Sequence, residues 1–483
     1  MKKNLTRREI LKYGLYGSAA TLLLPGVLPV WGSRRQVKSP NVLLISMDTV
    51  RKDHCSVYGY SRDTTPNLRR LAKQGARFDL AYSASSSTAP SHASMFTSLY
   101  PPAHQVLSNG YKLGQKYTTL AEHLSSAGYQ TAACVSSFVL NPKFGLAQGF
   151  TFYDADFKAA NQSITTQYFP DQPDVVDQRA DATTQKAIDW LKNKRNPESP
   201  FYMFLHYFDP HAPYDPPEPF RSKFPSQKNE PSYLEKLLAK IQNDKSRYLE
   251  KIIRRYDGEL AFTDHEIGKI FEALKHLGLE EDTLVVLTSD HGEGLGQHNL
   301  VGHSFNIYEE QVRVPLLFRW PNHIPKGLKL SSPVEGVDIM PTILDLIGVN
   351  RKGLSLHGQS MAPALLGGTE RDKDRPVYLF REYYTGREAD GLYNKIFLKG
   401  NKFAIRKGKW KYIEGKEENS QELFNLSSDP QELNNIYNKF PKKASELSAD
   451  LENWVTKYSK DELTRKNVPK EDLERLKALG YIN

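Results

Sequence analysis

The protein has 483 residues, of which 39% are hydrophobic and 25% are charged. This composition excludes a disordered chain and a multi-span membrane protein, and it suits a large soluble globular protein of two or three domains. Part of the net charge of +9 lies in residues 1–33, which carry five basic residues and one acidic residue. Because the remaining basic excess is small and not clustered, we predict no nucleic-acid partner. Cys55 and Cys134 allow at most one disulfide and exclude a Cys-based zinc site, and the sequence leaves their pairing open.

The N-terminus has the pattern of an export signal. A basic segment is followed by an uncharged stretch, 13–33, that ends in the small residues Gly32 and Ser33. Paired Arg7 and Arg8 resemble the twin-arginine motif. We therefore predict a signal peptide at 1–33, export by the twin-arginine machinery, and a periplasmic or extracellular location. A membrane anchor is the alternative, although the glycines and prolines of this stretch weaken a spanning helix.

After a linker at 34–40, strand and helix patterns alternate. The run 41–48 is largely apolar and ends in Asp48, as expected for a strand buried on both faces of a parallel sheet. Further strands are predicted at 130–135, 201–208, 283–289 and 314–319. Helices are predicted at 66–74, from 90 to before 101, and at 118–127, 175–193, 245–277 and 337–347. This alternation predicts a large doubly wound α/β domain at 41–370.

From residue 371 the pattern changes to short strands separated by turn residues. They are predicted at 377–384, 395–398, 402–406 and 409–413, and a charged helix follows at 442–457. The segment 371–483 is therefore predicted to be a smaller α+β domain packed on the first.

Acidic residues and histidines follow three of the predicted strands. The three clusters are Asp48 with Thr49, then His206, Asp209 and His211, then Asp290, His291, Glu293 and His303. Ligands of a doubly wound sheet bind outside the carboxyl ends of its strands. Together these clusters predict a divalent metal site. Carboxylates with one imidazole fit Mn²⁺ or Zn²⁺, whereas an all-oxygen shell favours Ca²⁺ or Mg²⁺.

A hydroxyl is predicted at a helix N-terminus near this site. Pro90 suits the first turn of a helix, which places Thr88 where free N–H groups favour an anion. A hydroxyl there, close to a metal, is a candidate nucleophile. An ordinary Ser/Thr N-cap is the alternative interpretation.

The chain resembles the sulfatase family of the alkaline phosphatase superfamily, in the same order and over nearly the whole mature length. The matching segments are 41–48, 58–60, 65–68, 90–101, 211–214, 288–293, 314–317, 337–342, 358–360, 411–412 and 422–430. The resemblance implies a mixed central sheet with helices on both faces and a small C-terminal domain with a four-stranded antiparallel sheet.

The resemblance also implies roles for single residues. It places Asp48, Asp290 and His291 at metal-ligand positions, Thr88 at the nucleophile position and His211 against the ester. His303 lies near a position that contacts substrate or leaving group. Glu293, Asp53 and Asn109 lie in matching segments without an assigned role, and Asp209 and His206 either add ligands or hold His211. One divalent metal is implied, with Ca²⁺ as the family default and Mn²⁺ or Zn²⁺ suggested by His291.

The segment around Thr88 departs from the family. Sulfatases carry C-x-P-x-R, whose cysteine is oxidised to formylglycine, whereas this chain has Thr88 and His92 at the first and last positions. Oxidation of a threonine would give a ketone, so that maturation should not apply. Thr49 stands where a second ligand carboxylate is common, and the Thr88 oxygen can complete the metal shell.

The sequence therefore predicts a metal-dependent hydrolase of a small or oligomeric sulfate or phosphate ester. Its catalytic residues would be Thr88, His92, His211 and His303, and its metal ligands Asp48, Thr88, Asp290 and His291. The family favours sulfate, whereas an unmodified hydroxyl favours phosphoester chemistry. A phosphodiesterase, a phospho-head-group transferase and a non-catalytic binder of anionic esters are alternatives. The sequence does not indicate the natural substrate or the oligomeric state.

Overall fold

The computed structural model describes residues 39–157, 176–224, 245–390, 395–459 and 468–478. The predicted signal peptide lies outside these residues. The strands are β1 Asn41–Met47, β2 Ala76–Phe78, β3 Ala81–Tyr82, β4 Gln130–Cys134, β5 Phe152–Asp154, β6 Phe201–Tyr207, β7 Thr283–Ser289, β8 Gly294–Leu295, β9 Val301–Gly302, β10 Leu316–Arg319, β11 Leu328–Leu330, β12 Val334–Glu335, β13 Val377–Asp390, β14 Lys395–Lys407, β15 Trp410–Gly415 and β16 Ser420–Asn425.

Helices connect and cover these strands. They are α1 Pro66–Gln74, α2 Thr88–Thr97, α3 Pro101–His104, α4 Leu120–Ser126, α5 Ala180–Asp189, α6 Phe220–Lys223, α7 Lys245–His276, α8 Glu309–Val312, α9 Ile339–Leu346, α10 Ala362–Leu365, α11 Pro441–Tyr458 and α12 Lys470–Ala478. Among the described residues, no helix is both long and apolar enough to cross a membrane. Cys55 and Cys134 are both buried, free thiols.

The central sheet has eight strands in the order β11-β2-β10-β7-β1-β6-β4-β5. β1 pairs in parallel with β7 on one side and β6 on the other, so the carboxyl ends of these three strands meet at one edge. β10 runs antiparallel to both β7 and β2, which makes the sheet mixed. The predicted fold class is confirmed.

Alternate residues of β1 enter two hydrophobic cores. Val42 and Leu44 belong to the core that also contains residues of α2 and α9, while Leu43 and Ile45 belong to the core shared with α1 and α7. Because successive side chains of a strand point to opposite faces, helices must cover both faces of the sheet. This explains why residues 42–45 are four consecutive apolar residues.

The C-terminal sheet has the order β13-β14-β15-β16 and is antiparallel throughout. α11 packs on it through a core that includes Leu447 and Trp454. The two strands predicted at 395–398 and 402–406 form one strand, β14, because Gly400 keeps the chain paired at a φ of +65°. A Cβ at Gly400 would lie 2.3 Å from the Glu417 side chain, so the close approach requires glycine.

Other elements differ from the predictions at their ends or were not predicted. The helix expected at 175–193 begins at Ala180, and β2, β5 and β11, with three residues each, are too short to give a periodic signal. Seven of the eight residues of α9 are buried, including Thr342. The domain boundary at 370/371 stays a prediction.

One buried histidine gives a test of this packing. His104 accepts a hydrogen bond from the Val106 N–H at Nδ1 (3.1 Å), so its Nε2 carries the proton and donates to Ser94 Oγ (3.0 Å). Burial lowers the pKa of His104 from 6.5 to about 3. Between these values the unfolded chain binds the proton first, so this residue makes stability rise with pH from about 3 to 6.5.

We predict that His104→Gln reduces the loss of stability on acidification. From pH 7 to pH 4.5 the parent should lose roughly 2–3 kcal/mol more than the variant, at about 1.4 kcal/mol per pKa unit. Denaturant unfolding at both pH values measures the difference. Replacement of the exposed His276 by Gln is the control. Parallel pH dependences of the parent and His104→Gln would contradict the prediction.

Candidate active site

The ends of β1 and β7 bring two carboxylates together in the protein interior. Asp48 follows β1 and Asp290 follows β7, and both are fully buried. Asp290 Oδ1 accepts the N–H groups of Thr49 (3.2 Å) and His291 (2.8 Å). Thr49 adopts a φ of +58°, and this left-handed turn helps direct its amide to the carboxylate. The backbone therefore orients one oxygen of Asp290.

The same two carboxylates and His291 form a group suited to a cation. Their ligand atoms lie within 4.8 Å of one another. His291 Nε2 is 3.8 Å from Asp48 Oδ1 and 3.5 Å from Asp290 Oδ2. Asp290 Oδ2 is buried and accepts no hydrogen bond from the described part of the chain, a costly state that a bound cation would relieve.

The hydrogen bonds of His291 favour the tautomer that a metal requires. Its Nδ1 donates to the Gly292 carbonyl oxygen (2.9 Å), so the lone pair of the neutral ring lies on Nε2. Burial alone would lower the pKa of His291, but the charges of Asp290 and Asp48 outweigh burial and raise it. The residues present therefore fit a divalent cation with mixed oxygen and nitrogen ligands.

Thr88 lies beside this group. It is the first residue of α2, and its Oγ1 is 3.2 Å from His291 Nε2. The N-cap residue is Ser87, whose side chain makes no capping hydrogen bond, so the N-cap interpretation of Thr88 does not hold. Asn109 Oδ1 instead accepts the Ala89 N–H (2.8 Å). Asn109 thus fixes the first turn of the helix that carries Thr88.

His92 lies beneath Thr88, one helical turn further along α2. Its Nδ1 donates to the Thr88 carbonyl oxygen (2.9 Å), and its Nε2 accepts from Ser46 Oγ (3.0 Å). Its Nδ1 also lies 3.8 Å from Asp290 Oδ2. Burial lowers the pKa of His92 to about 4. These contacts are suited to holding Thr88 in position, and the catalytic role predicted for His92 stays a prediction.

His206 and Asp209 contact other residues than His211. His206 Nε2 lies 3.5 Å from Asp48 Oδ2, so it supports a predicted metal ligand. Asp209 lies 3.7 Å from Arg179 Nη2, and burial raises the pKa of this carboxyl to about 7. The sequence analysis did not identify Arg179 as a residue near the site, because its partners are distant along the chain.

His211 and His303 complete a group of imidazoles around His291. The ring centroids of His211 and His303 are 4.9 Å apart, and those of His303 and His291 are 4.5 Å apart. His211 stacks on Phe208 at 4.6 Å and donates from Nδ1 to the Ala212 carbonyl oxygen (2.6 Å). Burial lowers the pKa of His211 to about 4.

Glu293 holds the second of these rings. Its Oε1 is 3.3 Å from His303 Nδ1, and its Oε2 accepts from the Tyr214 hydroxyl (2.9 Å). Asp53 has a side chain that is 64% exposed, and it pairs with Arg51. Arg51 Nη1 in turn donates to the Glu293 carbonyl oxygen (3.1 Å), so Asp53 is linked to the site through Arg51.

A residue of the C-terminal sheet also braces the site. Ser304, next to His303, shares a hydrogen bond with Ser87 (Oγ to Oγ, 2.8 Å). The Tyr384 hydroxyl of β13 donates to the Ser304 carbonyl oxygen (3.0 Å). Sequence reasoning missed both residues, because a serine in a loop and a tyrosine in a strand have no distinctive pattern.

Comparisons with known proteins identify the family of this chain. Residues 40–349 match the family model described as Sulfatase, and residues 296–461 match the model described as N-sulphoglucosamine sulphohydrolase, C-terminal. An arylsulfatase of Clostridium perfringens (strain 13 / Type A) is 27% identical over 457 residues. That alignment covers 83% of this chain and 90% of the relative.

Two solved structures share the fold. One is a protein in complex with its substrate D-glucosamine-2-N,6-O-disulfate, with a TM-score of 0.73, 23% identity, and coverage of 89% of this chain and 100% of the other. The second is a phosphonate monoester hydrolase of Agrobacterium radiobacter, with a TM-score of 0.69, 23% identity, and coverage of 87% and 96%. At this identity the likeness concerns the fold.

We predict that divalent cations stabilise the protein through the Asp48, Asp290 and His291 group. At a hundredfold excess over Kd, the bound cation should add about 2.7 kcal/mol to the free energy of unfolding. Asp290→Asn removes a charge at nearly constant shape and should abolish most of this gain. Thermal unfolding with Ca²⁺, Mn²⁺ and Zn²⁺ in turn measures it.

The exposed Asp282, changed to Asn, is the matched control and should keep the full stabilisation. A cation effect of equal size in Asp290→Asn and in the parent would contradict this assignment, as would no effect of any cation on the parent.

Proposed function

The chain belongs to the sulfatase family, and from that premise we propose that it hydrolyses a sulfate or phosphate ester with the Thr88 hydroxyl as nucleophile. The observation that carries the proposal is the 3.2 Å contact between Thr88 Oγ1 and His291 Nε2. It places a hydroxyl at a helix N-terminus, directly beside two buried carboxylates and an imidazole. In the first turn the Ala89 N–H donates to Asn109, Pro90 has no N–H, and the Ser91 N–H donates to the Ser87 carbonyl oxygen. The dipole of the helix still favours an anionic ester group at this end.

In the proposed reaction, Thr88 Oγ1 forms a bond to the sulfur or phosphorus while the bond to the alcohol oxygen breaks. The product is an ester of Thr88, and the alcohol leaves with a proton. Water then attacks the same sulfur or phosphorus and frees Thr88. An unmodified threonine has one hydroxyl and cannot expel the group as a hydrated aldehyde does, so this second attack is required.

Asp48, Asp290 and His291 would hold the divalent cation, which when bound lowers the pKa of a hydroxyl and offsets charge on the ester oxygens. The other contacts fix the position of Thr88. His92 holds its carbonyl oxygen and Asn109 holds the next amide. Orientation of this kind accounts for a large share of enzymatic rate enhancement.

His211 and His303 are proposed to move the protons. Each has its Nδ1 directed to an acceptor, the Ala212 carbonyl for His211 and the Glu293 carboxylate for His303. The lone pair of each neutral ring then lies on Nε2. Such a nitrogen can accept the proton of the attacking water, and in its protonated form it can return a proton to the departing alcohol.

Sulfate and phosphate esters are both supported as substrates. An arylsulfatase is among the relatives, which supports sulfate, and a phosphonate monoester hydrolase shares the fold. Release of an unmodified threonine by water favours phosphoryl transfer. Turnover of paired aryl sulfate, phosphate monoester and phosphate diester substrates separates these possibilities. Zero turnover of all three by metal-loaded protein would favour the non-catalytic binder.

We predict that Thr88→Ala lowers kcat by about four orders of magnitude on every ester that the parent hydrolyses, because the nucleophile is lost. Thr88→Ser keeps the hydroxyl and should retain activity within about tenfold. Steady-state kinetics on the three substrates measures both, and unfolding curves check that the variants fold. Parent-like turnover of Thr88→Ala would contradict the proposal.

We also propose that residues 1–33 direct export by the twin-arginine route, on the basis of Arg7 and Arg8 and the uncharged stretch after them. Replacement of both arginines by lysine should leave the protein in the cytoplasm, which fractionation measures. Unchanged export of this variant would contradict the route.

A further inference from the structure

The segment that carries His303 follows a short antiparallel hairpin, β8–β9. The tip of this hairpin holds two neighbouring residues in the left-handed region, His298 at a φ of +50° and Asn299 at +66°. This conformation is uncommon for residues other than glycine and persists where other contacts hold it. The contacts of the tip therefore help to decide where the hairpin, and His303 directly after it, lies.

His298 supplies such contacts. Its Nδ1 is 2.9 Å from Glu310 Oε1, and its Nε2 is 3.0 Å from the Glu432 carbonyl oxygen. Its ring stacks on the Tyr308 ring with the centroids 3.8 Å apart, and its side chain is 12% exposed. Tyr308 and Glu310 lie at the start of α8, whereas Glu432 follows β16. His298 thus joins the hairpin tip to two other segments of the chain.

Both ring nitrogens of His298 face hydrogen-bond acceptors. A neutral imidazole carries one N–H, so it would donate to one acceptor and direct a lone pair at the other. The imidazolium carries two N–H groups and satisfies both. Burial alone would lower the pKa of His298, but the hydrogen bond and the charge of Glu310 outweigh burial and raise this pKa above its usual 6.5. The Tyr308 ring stacked on the imidazole favours the cation as well.

The other titratable side chains around His298 have partners of their own. The Tyr308 hydroxyl donates to Glu422 (2.5 Å), and burial raises its pKa well above 10, so Tyr308 stays neutral. The Glu432 carboxylate lies 2.9 Å from Lys411 Nζ. Burial raises the pKa of the Glu432 carboxyl to about 8, so Glu432 titrates in a similar range and has to be distinguished from His298.

The hairpin passes the position of its tip on to the active site. β8 and β9 pair as far as Gly302, the residue directly before His303. Ser304, the residue directly after it, donates its N–H to the Ser86 carbonyl oxygen (3.1 Å) in the segment that leads to Thr88. His303 therefore lies between the hairpin and the Thr88 segment, and a shift of the hairpin would displace its ring relative to Thr88.

We propose that His298 is a positioning residue for His303, which holds the β8–β9 hairpin in place only in its imidazolium form. The inference rests on the proposed role of His303 in proton transfer and adds a group that acts through it. When His298 loses its proton, one of its two hydrogen bonds is lost, the left-handed tip relaxes, and His303 moves out of line with the ester. Because the pKa is higher in the folded chain than in the unfolded chain, this stabilising contact is complete below pH 6.5 and is lost as the pH rises through the folded value.

Two variants change the charge of this contact in different ways. Glu310→Gln keeps an acceptor for Nδ1 but removes the anion, so His298 should lose its proton at a lower pH. His298→Asn suits the left-handed backbone, which asparagine adopts readily, but it has no charge that titrates. His276→Asn, at an exposed position, is the control. Unfolding curves verify that all three variants fold.

NMR of protein labelled with ¹⁵N-histidine measures the protonation of His298, whose signals are assigned by their loss in His298→Asn. The titration midpoint in the parent should lie above 6.5, with both ring nitrogens protonated below it, and it should fall in Glu310→Gln. Protection of amides 295–304 against hydrogen exchange, corrected for the intrinsic rate at each pH, should decrease through the same midpoint. Both measurements are independent of turnover.

Profiles of kcat and KM against pH, on the ester that the parent hydrolyses best, connect this contact to the reaction. The kcat of the parent should fall roughly tenfold or more on the alkaline side, at the midpoint measured for His298, with a smaller change in KM. This alkaline limb should move to lower pH in Glu310→Gln, disappear in His298→Asn, which is slow throughout, and stay in place in His276→Asn. Its coincidence with the His298 midpoint separates His298 from Glu432.

An NMR midpoint at or below 6.5 would overturn the inference, as would an alkaline limb that both Glu310→Gln and His298→Asn leave in place. Parent-like exchange protection of amides 295–304 in His298→Asn at every pH would also overturn it. The expected titration and exchange in a protein that hydrolyses no ester would support the hairpin contact and reject the proposed function.

Discussion

Two carboxylates in the interior of the protein set the chemistry of the site. Asp48 and Asp290 are fully buried at the shared end of β1 and β7. Removing charged groups from water is costly unless opposite charge compensates them. His92 and His206 supply little positive charge at neutral pH, because burial lowers the pKa of each to about 4. The two carboxylates raise the pKa of His291, which is a single imidazole beside two acids. A divalent cation would supply the missing charge, and Thr88 lies where it would share that cation's field.

The C-terminal sheet contributes to the same site through a buried ion cluster. Lys411 of β15 lies 3.2 Å from Glu309 of α8 and 2.9 Å from Glu432. The chain that follows Glu309 carries the Gln311 carbonyl, which accepts the Gly292 N–H (2.8 Å), directly after His291. The position of His291 therefore depends on contacts that originate in the smaller sheet, which gives a physical reason for the two parts to occur together.

Much of the site could be predicted from the sequence, because the ends of the apolar strands can be located in it. Residues 42–45 are apolar without a break, and the acid that follows the strand, Asp48, must lie at the sheet edge. The parallel order of β7, β1 and β6 then brings the three clusters together, as expected. The contacts of His92 could not be predicted, since the sequence does not show whether a histidine in a helix faces the ester or the Thr88 carbonyl oxygen.

Contacts between segments that are far apart in the sequence could not be predicted either. Arg179 faces Asp209, and Tyr384 supports Ser304, only because the chain folds back over long separations. Two predicted strands merged into β14 because Gly400 continues the pairing instead of ending it. Short strands such as β2 were not predicted because three residues cannot show a period.

The central claim is that an unmodified Thr88 hydroxyl forms a covalent ester during turnover. Acid quenching of the metal-loaded protein in the first turnover, followed by peptide mass spectrometry, tests it directly. The account predicts that the peptide containing residue 88 carries the sulfate or phosphate group of the substrate on Thr88. A fully active protein whose Thr88 stays unmodified throughout, with the group on another residue or on none, would contradict it.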